Sequence, residues 1–345
     1  MATSHLSTGE VGERSDFSGL HEGARAGFPG IVSGVKARTT YWLATMGFDL
    51  AILIAMAIAL IGSVLGLGGH VRLCQTSVLL PMICMASAMA MRAWQSPAKW
   101  REDISHILRD WVPFLLIVFI YENLHDVAGQ VTDFDFARTL MGWDVAIFGV
   151  EPTIWAQKFF SPILTDLLSV SYGMYFALPL FIMFLLSLWG RRFDFRHMAL
   201  TLTLVFIMGF VGYVFLPASP PRYFIEQMYT TPARLHGLFL FDRLQGAWDG
   251  LSVISGGAFP SLHVGISTVA LIYAFRFRHL NRMCKAVWYA CIPLVTCLWF
   301  STVYLRHHWV IDIAAGWAVA LLAYAFAVPM MRAWAELRRR HGLIF

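Results

Sequence analysis

The chain has 345 residues, 58% of them hydrophobic and only 14% charged, with a formal net charge of +5 and a mean hydropathy of +0.62. A water-soluble domain carries about a quarter charged residues, so most of this chain must face something other than water. The five cysteines (Cys74, Cys84, Cys284, Cys291 and Cys297) lie in or beside apolar runs without paired spacing, which reads as small packing residues rather than disulfides or metal ligands.

In chain order, residues 1–40 form a polar, glycine-rich stretch with four acids and four bases and no apolar segment with a cleavage site. It is expected to be a cytoplasmic tail and not a signal peptide. A helix needs about 20 apolar residues to cross a bilayer. That criterion predicts eight spans, at 41–66, 74–91, 110–125, 166–189, 197–216, 261–276, 286–304 and 309–331. The second contains Pro81, and the third ends in the polar Tyr121-Glu122-Asn123. Between 126 and 165, aromatic residues such as Trp143, Phe148, Trp155 and Phe159 alternate with acids, a mixture that predicts short interfacial helices on the membrane surface.

The fold expectation is therefore all-α and polytopic. Two accessory spans at 41–92 precede a six-span core at 110–331 that includes the interfacial segment 126–165, and a basic tail follows at 332–345. With eight spans, 19 of the 26 Lys and Arg residues fall on the side shared by both termini. The positive-inside rule then predicts cytoplasmic termini.

Three segments on the opposite side can carry chemistry. Leu216-Pro217-Ala218-Ser219-Pro220-Pro221-Arg222-Tyr223 ends a span with prolines that stop the helix and hold Arg222 at the surface. Alone it reads as an ordinary terminator with a snorkelling arginine. Ser255-Gly256-Gly257-Ala258-Phe259-Pro260-Ser261-Leu262-His263 is a turn into a helix start, where exposed N–H groups and the positive dipole end suit an anion. Alone it is a capped helix with an interfacial histidine. In Ser301-Thr302-Val303-Tyr304-Leu305-Arg306-His307-His308-Trp309-Val310-Ile311-Asp312, His308 and Asp312 are four residues apart and share a helical face. The carboxylate can take the Nδ1–H of the imidazole, leaving Nε2 to attack phosphorus. Together the segments offer His263, His308, Asp312, Arg222 and Arg306 on one side of the membrane, the parts that a phosphoryl group in flight requires.

These segments resemble the three motifs of the type 2 phosphatidic acid phosphatase superfamily of membrane lipid phosphatases and phosphotransferases. Pro260-Ser261-Leu262-His263 is similar to its Pro-Ser-Gly-His motif, and Ser301, His308 and Asp312 have the spacing of its third motif. Leu262 stands where the family has glycine, Thr302 where it has arginine, and Pro220-Pro221-Arg222 where its first motif would lie. These departures resemble the branch containing inositol phosphorylceramide synthase and its bacterial relatives. So, more weakly, does the Asp144…Phe148-Gly149…Pro152 stretch with Tyr172 and Tyr175.

The resemblance implies that His308 is the nucleophile forming a phosphohistidine, that Asp312 orients it, and that His263 protonates the leaving alcohol. Arg222 and Arg306, with Ser261 and Ser301, would hold the phosphate, and no metal or other cofactor is implied. The implied partners are membrane lipids (a donor phospholipid and a lipid acceptor), with no nucleic acid. Transfer of a phosphorylated headgroup between lipids and hydrolysis of a lipid phosphate share the same catalytic residues. A haem carrier would use paired histidines but leaves Asp312 without a purpose. A transporter should show polar breaks deep in several spans, where Asp49 is the only other obvious acid.

Overall fold

The computed structural model describes residues 47–68, 70–71, 79–95, 100–131, 134–230, 232–251 and 256–340. The tail 1–40, the start of the first predicted span, residues 74–78 of the second, Ser255 and residues 341–345 lie outside the described residues. Twelve α-helices are named here in chain order: α1 Phe48–Gly66, α2 Leu79–Gln95, α3 Trp100–Val131, α4 Ala137–Phe148, α5 Pro152–Ala156, α6 Pro162–Leu188, α7 Arg192–Phe215, α8 Pro221–Phe224, α9 Phe241–Leu251, α10 Leu262–Phe277, α11 Arg282–Tyr304 and α12 Val310–Arg340. Among the described residues the only β pairing is an isolated bridge between Ala218 and Gly257.

Five helices, α1, α6, α7, α11 and α12, are long and apolar enough to cross a bilayer, and α10 is a shorter apolar helix. The protein is thus a multi-pass membrane protein. Of the eight predicted spans, those at 74–91 and 110–125 fall on α2 and α3, which are outside that set of five. The polar Tyr121-Glu122-Asn123 stretch does not end α3, which runs on to Val131. In the predicted interfacial segment stand the short helices α4 and α5, with Phe134, Trp143, Ile147, Phe148 and Trp155 exposed.

Residues Phe48–Met331 form one compact unit. In the second unit, Glu336 of α12 pairs with Arg339 and Arg340. Within the first, the core runs from Leu53 and Trp111 through Met198, Phe206, Tyr213, Leu262 and Val269 to Ala320. At 1.5 Å per residue, the 24 residues of α7 span roughly 36 Å, enough to cross a hydrocarbon core of about 30 Å. At its N-terminal end Arg196 bridges Asp49 (3.1 Å) and Asp110 (3.4 Å), and Arg192 pairs with Asp110 (2.9 Å). Asp49 therefore has an ion-pair partner, which answers the cost of a lone acid in a span. The other end of α7 opens into the segment that carries Arg222.

Glycines let helices meet where the site is built. At Gly316 of α12, an added Cβ would come within 2.6 Å of the Ser261 carbonyl and 2.9 Å of Val264 Cβ. At Gly212 of α7 it would collide with the Pro260 ring. α7, α10 and α12 thus converge on Pro260-Ser261.

Candidate active site

The turn between α11 and α12 is shaped by backbone bonds. The N–H groups of His307 and His308 both donate to the Thr302 carbonyl (2.9 and 3.0 Å). Arg306 adopts a left-handed backbone, φ 64°, a conformation rare outside glycine that persists where surrounding contacts hold it. Those contacts are visible: the Arg306 N–H donates to Val303 and its carbonyl accepts from Arg222 (2.9 Å each). The second of these bonds ties the first motif to the third.

His308 emerges from this turn almost fully buried. Its Nδ1 lies 2.9 Å from the Ala258 carbonyl and 3.3 Å from Asp312 Oδ2. A carbonyl can only accept, so Nδ1 carries the hydrogen, and in the neutral ring Nε2 then holds the lone pair. Asp312 also accepts from the Trp309 N–H (3.0 Å), so one carboxylate fixes both the ring and the start of α12. Nε2 of His308 stands 3.2 Å from Nδ1 of His263. With the His308 lone pair as acceptor, His263 Nδ1 is the donor.

His263 sits on the first turn of α10, where Ser261 Oγ accepts from the Val264 N–H (3.4 Å). Its ring packs on Tyr172 (4.3 Å, 21°) and Tyr175 (4.1 Å) of α6. Tyr172 also stacks on His307 (4.5 Å, 26°), so one tyrosine ring lies against two imidazoles. Burial, and then the charge of Arg222, hold the His307 pKa well below the usual histidine value and keep the ring neutral.

The first motif is pinned against the second. Ala218 N–H donates to Gly256 O (2.8 Å), and Ala258 N–H donates to Ala218 O (3.1 Å). Asp135 accepts from the Ser219 N–H (3.0 Å) and the Ala137 N–H (2.9 Å). The Trp309 indole donates to the Ser219 carbonyl (3.2 Å). Arg222 lies near enough to act electrostatically on His263 and His307, and its guanidinium rests over Tyr223 (4.5 Å).

Three residues expected at the phosphate are committed elsewhere. The Arg306 guanidinium donates to the carbonyls of Pro232 and Ala233 (2.7 Å each) and lies over the Tyr229 ring (3.7 Å). Tyr229 in turn meets Thr153 (2.7 Å), so Arg306 clamps the loop after α8 onto α5 and is not directed at the imidazoles. Burial also pulls its pKa below the usual arginine value. Ser301 is fully buried, and its hydroxyl donates to the Leu298 carbonyl of its own helix (2.7 Å). Ser261 serves as the α10 cap. His308, Asp312 and His263 are brought together, with Arg222 beside them.

Sequence reasoning placed Asp144 in a stretch that resembles the branch but gave it no role at the site. Its Oδ2 accepts from Val310 N–H (2.7 Å) and its Oδ1 from Ile311 N–H (3.0 Å), so α4 supplies the N-terminal cap of the helix that carries Asp312. Burial, reinforced by the nearby Asp312 charge, raises the Asp144 pKa to about 6 against the two backbone bonds that lower it. Its signal was the Asp144…Phe148-Gly149…Pro152 pattern alone, because the helix it caps lies far along the sequence.

The PAP2 superfamily pattern matches residues 138–326, more than half of the chain. The chain belongs to the PAP2 superfamily. It is similar to the phosphoinositol dihydroceramide synthase of Bacteroides thetaiotaomicron, 32% identical over 162 residues that make up 43% of this chain and 51% of that protein. It is also similar to the inositol phosphorylceramide synthase catalytic subunit of Schizosaccharomyces pombe, 28% identical over 205 residues, 56% of this chain and 47% of that protein. The corresponding Saccharomyces cerevisiae subunit is 33% identical over 135 residues, 35% of this chain and 31% of that protein. The chain thus spans about half the length of the first two relatives. No solved structure is a significant match. The PAP2 pattern begins within α4 and ends within α12, so it encloses Asp144 and all three motifs.

Proposed function

We propose that this PAP2 protein is a lipid phosphotransferase that moves a phosphorylated headgroup, phosphoinositol by similarity to its relatives, from a donor phospholipid to the hydroxyl of a ceramide-type lipid. The observation that carries the reading is the His308–His263 pair: one imidazole nitrogen made nucleophilic by an anchored Nδ1–H, with a second imidazole 3.2 Å away. His308 Nε2 attacks phosphorus, the N–P bond forms and the P–O bond to the diacylglycerol oxygen breaks. His263, protonated once the donor's phosphate anion lies beside it, gives that proton to the leaving oxygen. In the second half, His263 takes the proton of the incoming lipid hydroxyl, whose oxygen displaces His308 from phosphorus. Asp312 and the Ala258 carbonyl hold the ring and stabilise the charge it gains. Arg222 neutralises the phosphate oxygens.

The sorting of basic residues supports cytoplasmic termini and an extracytoplasmic site, periplasmic in a bacterium and luminal in a eukaryote. The Asp49–Asp110–Arg192–Arg196 cluster lies at the N-terminal end of α7, and the segment that carries Arg222 follows its other end.

The test is incubation of the purified protein with phosphatidylinositol labelled in its headgroup, with and without ceramide. A labelled inositol phospholipid that appears only with ceramide is expected. Release of water-soluble inositol phosphate with no new lipid would establish hydrolysis in place of transfer.

A further inference from the structure

Between Arg234 and Asp242 the chain reads Leu235-His236-Gly237-Leu238-Phe239-Leu240-Phe241, with no Lys, Arg, Asp or Glu. Its tip is turned outward: Leu238 is 52% exposed, Phe239 77% and Leu240 45%. Beneath the tip is the largely buried Asp166 of α6. One carboxylate oxygen accepts from Leu238 N–H (3.0 Å) and Phe239 N–H (2.8 Å), the other from Leu240 N–H (3.2 Å) and Phe241 N–H (2.9 Å). Four consecutive amides, three in the irregular tip and one at the first residue of α9, are thus satisfied by one side chain. Gly237 is required for this wrap, because an added Cβ would collide with Asp166 Oδ1.

In water such amides need no protein partner, and three adjacent exposed apolar side chains have nothing to gain. In hydrocarbon the situation reverses: each unsatisfied amide costs several kcal/mol, and irregular backbone is tolerated only where its polar groups are internally bonded. The tip combines both adaptations. On its inner side, Phe241 packs in one buried cluster with Leu168, Tyr172, Tyr304 and Leu305, and Tyr172 lies against His263. The loop is therefore one side-chain layer from the site.

We infer that Leu238-Phe239-Leu240 is a rigid wedge that inserts into the leaflet on the site's side of the bilayer and receives the acyl chains of the lipid substrate there. The insertion stands independently of the proposed reaction, whereas the acyl-chain role rests on it. Full-length protein in phosphatidylcholine vesicles tests both. For Phe239→Trp, the fluorescence gained over the parent is expected to be quenched by lipids brominated on their chains and spared by aqueous iodide. Quenching by iodide, or protection from both quenchers as under a bound protein partner, would overturn insertion.

The triple variant Leu238→Gln, Phe239→Gln, Leu240→Gln is expected to raise the apparent KM for a long-chain donor in vesicles about tenfold. Turnover of a short-chain, water-soluble donor should be unchanged. Equal loss on both donors, or loss on neither, would overturn the acyl-chain role. A parent that turns over no lipid at all would fail the reaction while leaving the quenching result to decide insertion.

Discussion

Nε2 of His308 and Nδ1 of His263 stand 3.2 Å apart, closer than a phosphoryl group placed between them would permit. His308 is held from behind by Ala258 and Asp312, while His263 is held by ring packing against Tyr172 and Tyr175. Hydrogen bonds resist displacement more directionally than ring contacts, so substrate parts the pair on the His263 side. His263→Ala should therefore leave Nε2 open to attack while removing the proton for the leaving oxygen. Its steady-state rate on a natural lipid should fall by roughly 100-fold to 10,000-fold. A donor with a nitrophenyl leaving group, which needs no proton, should still give a burst of nitrophenol. Stopped-flow absorbance checks this, and the absence of a burst would count against the assigned role.

Gly316 tests how tightly the site is positioned. Its missing Cβ lets α12 lie against the Ser261 carbonyl and Val264, one turn beyond Asp312. Gly316→Ala should push α12 off α10 and widen the His308–His263 separation. A displacement near 1 Å costs on the order of 100-fold in rate, with helix content by circular dichroism unchanged. A rate within twofold of the parent would show that the close approach does not position the site.

The two arginines should separate cleanly. Arg222→Ala should lower kcat/KM by roughly 100-fold or more, as loss of a transition-state charge partner does, with melting temperature preserved. Arg306→Ala leaves the Pro232 and Ala233 carbonyls without their donor and empties the space over Tyr229. It should destabilise the protein by about 2–4 kcal/mol, read as a lowered melting temperature in detergent. The reverse pattern would restore Arg306 to the phosphate.

Asp144 links pH to the α12 cap. Its carboxyl pKa rises from 3.8 to about 6 on folding, first because of burial. Between those values the folded state binds more protons than the unfolded one, so this group's contribution to stability is greatest below pH 3.8 and declines as pH rises towards 6. Asp144→Asn removes that titration and, because its amide nitrogen cannot accept, leaves one of the Val310 and Ile311 N–H groups unbonded. The parent's melting-temperature advantage over Asp144→Asn should be larger at about pH 5 than at about pH 7. A larger advantage at the higher pH would contradict the raised pKa.

The parts of the site legible in the sequence were those fixed by local geometry. The i, i+4 spacing of His308 and Asp312 on a helix start, and Pro260-Ser261 before His263, need only helix periodicity and capping to be read. What could not be read depends on tertiary contacts. Arg306 looks like a phosphate ligand because it adjoins His308, yet its left-handed backbone sends the guanidinium to the loop after α8. Asp144 and Asp166 look like acids in a mixed interfacial segment and at the edge of a span. Each instead accepts backbone N–H groups from a segment at least seventy residues away. Tyr172 belongs to a pattern visible in the sequence, but its place against two imidazoles follows from how α6 packs against α10. The long apolar helices were visible because a bilayer sets their length. α2 and α3 are more polar helices whose relation to the bilayer composition alone does not define.

The central claim is that His308 carries the headgroup covalently. Protein incubated briefly with donor lipid labelled at phosphorus, then denatured in alkali, should retain label in a linkage that is stable to base and labile to acid, as an N–P bond is. The label should map to the peptide containing His308 and be absent from His308→Ala. A label that persists in His308→Ala, or transfer to ceramide by that variant at near-parental rate, would contradict it.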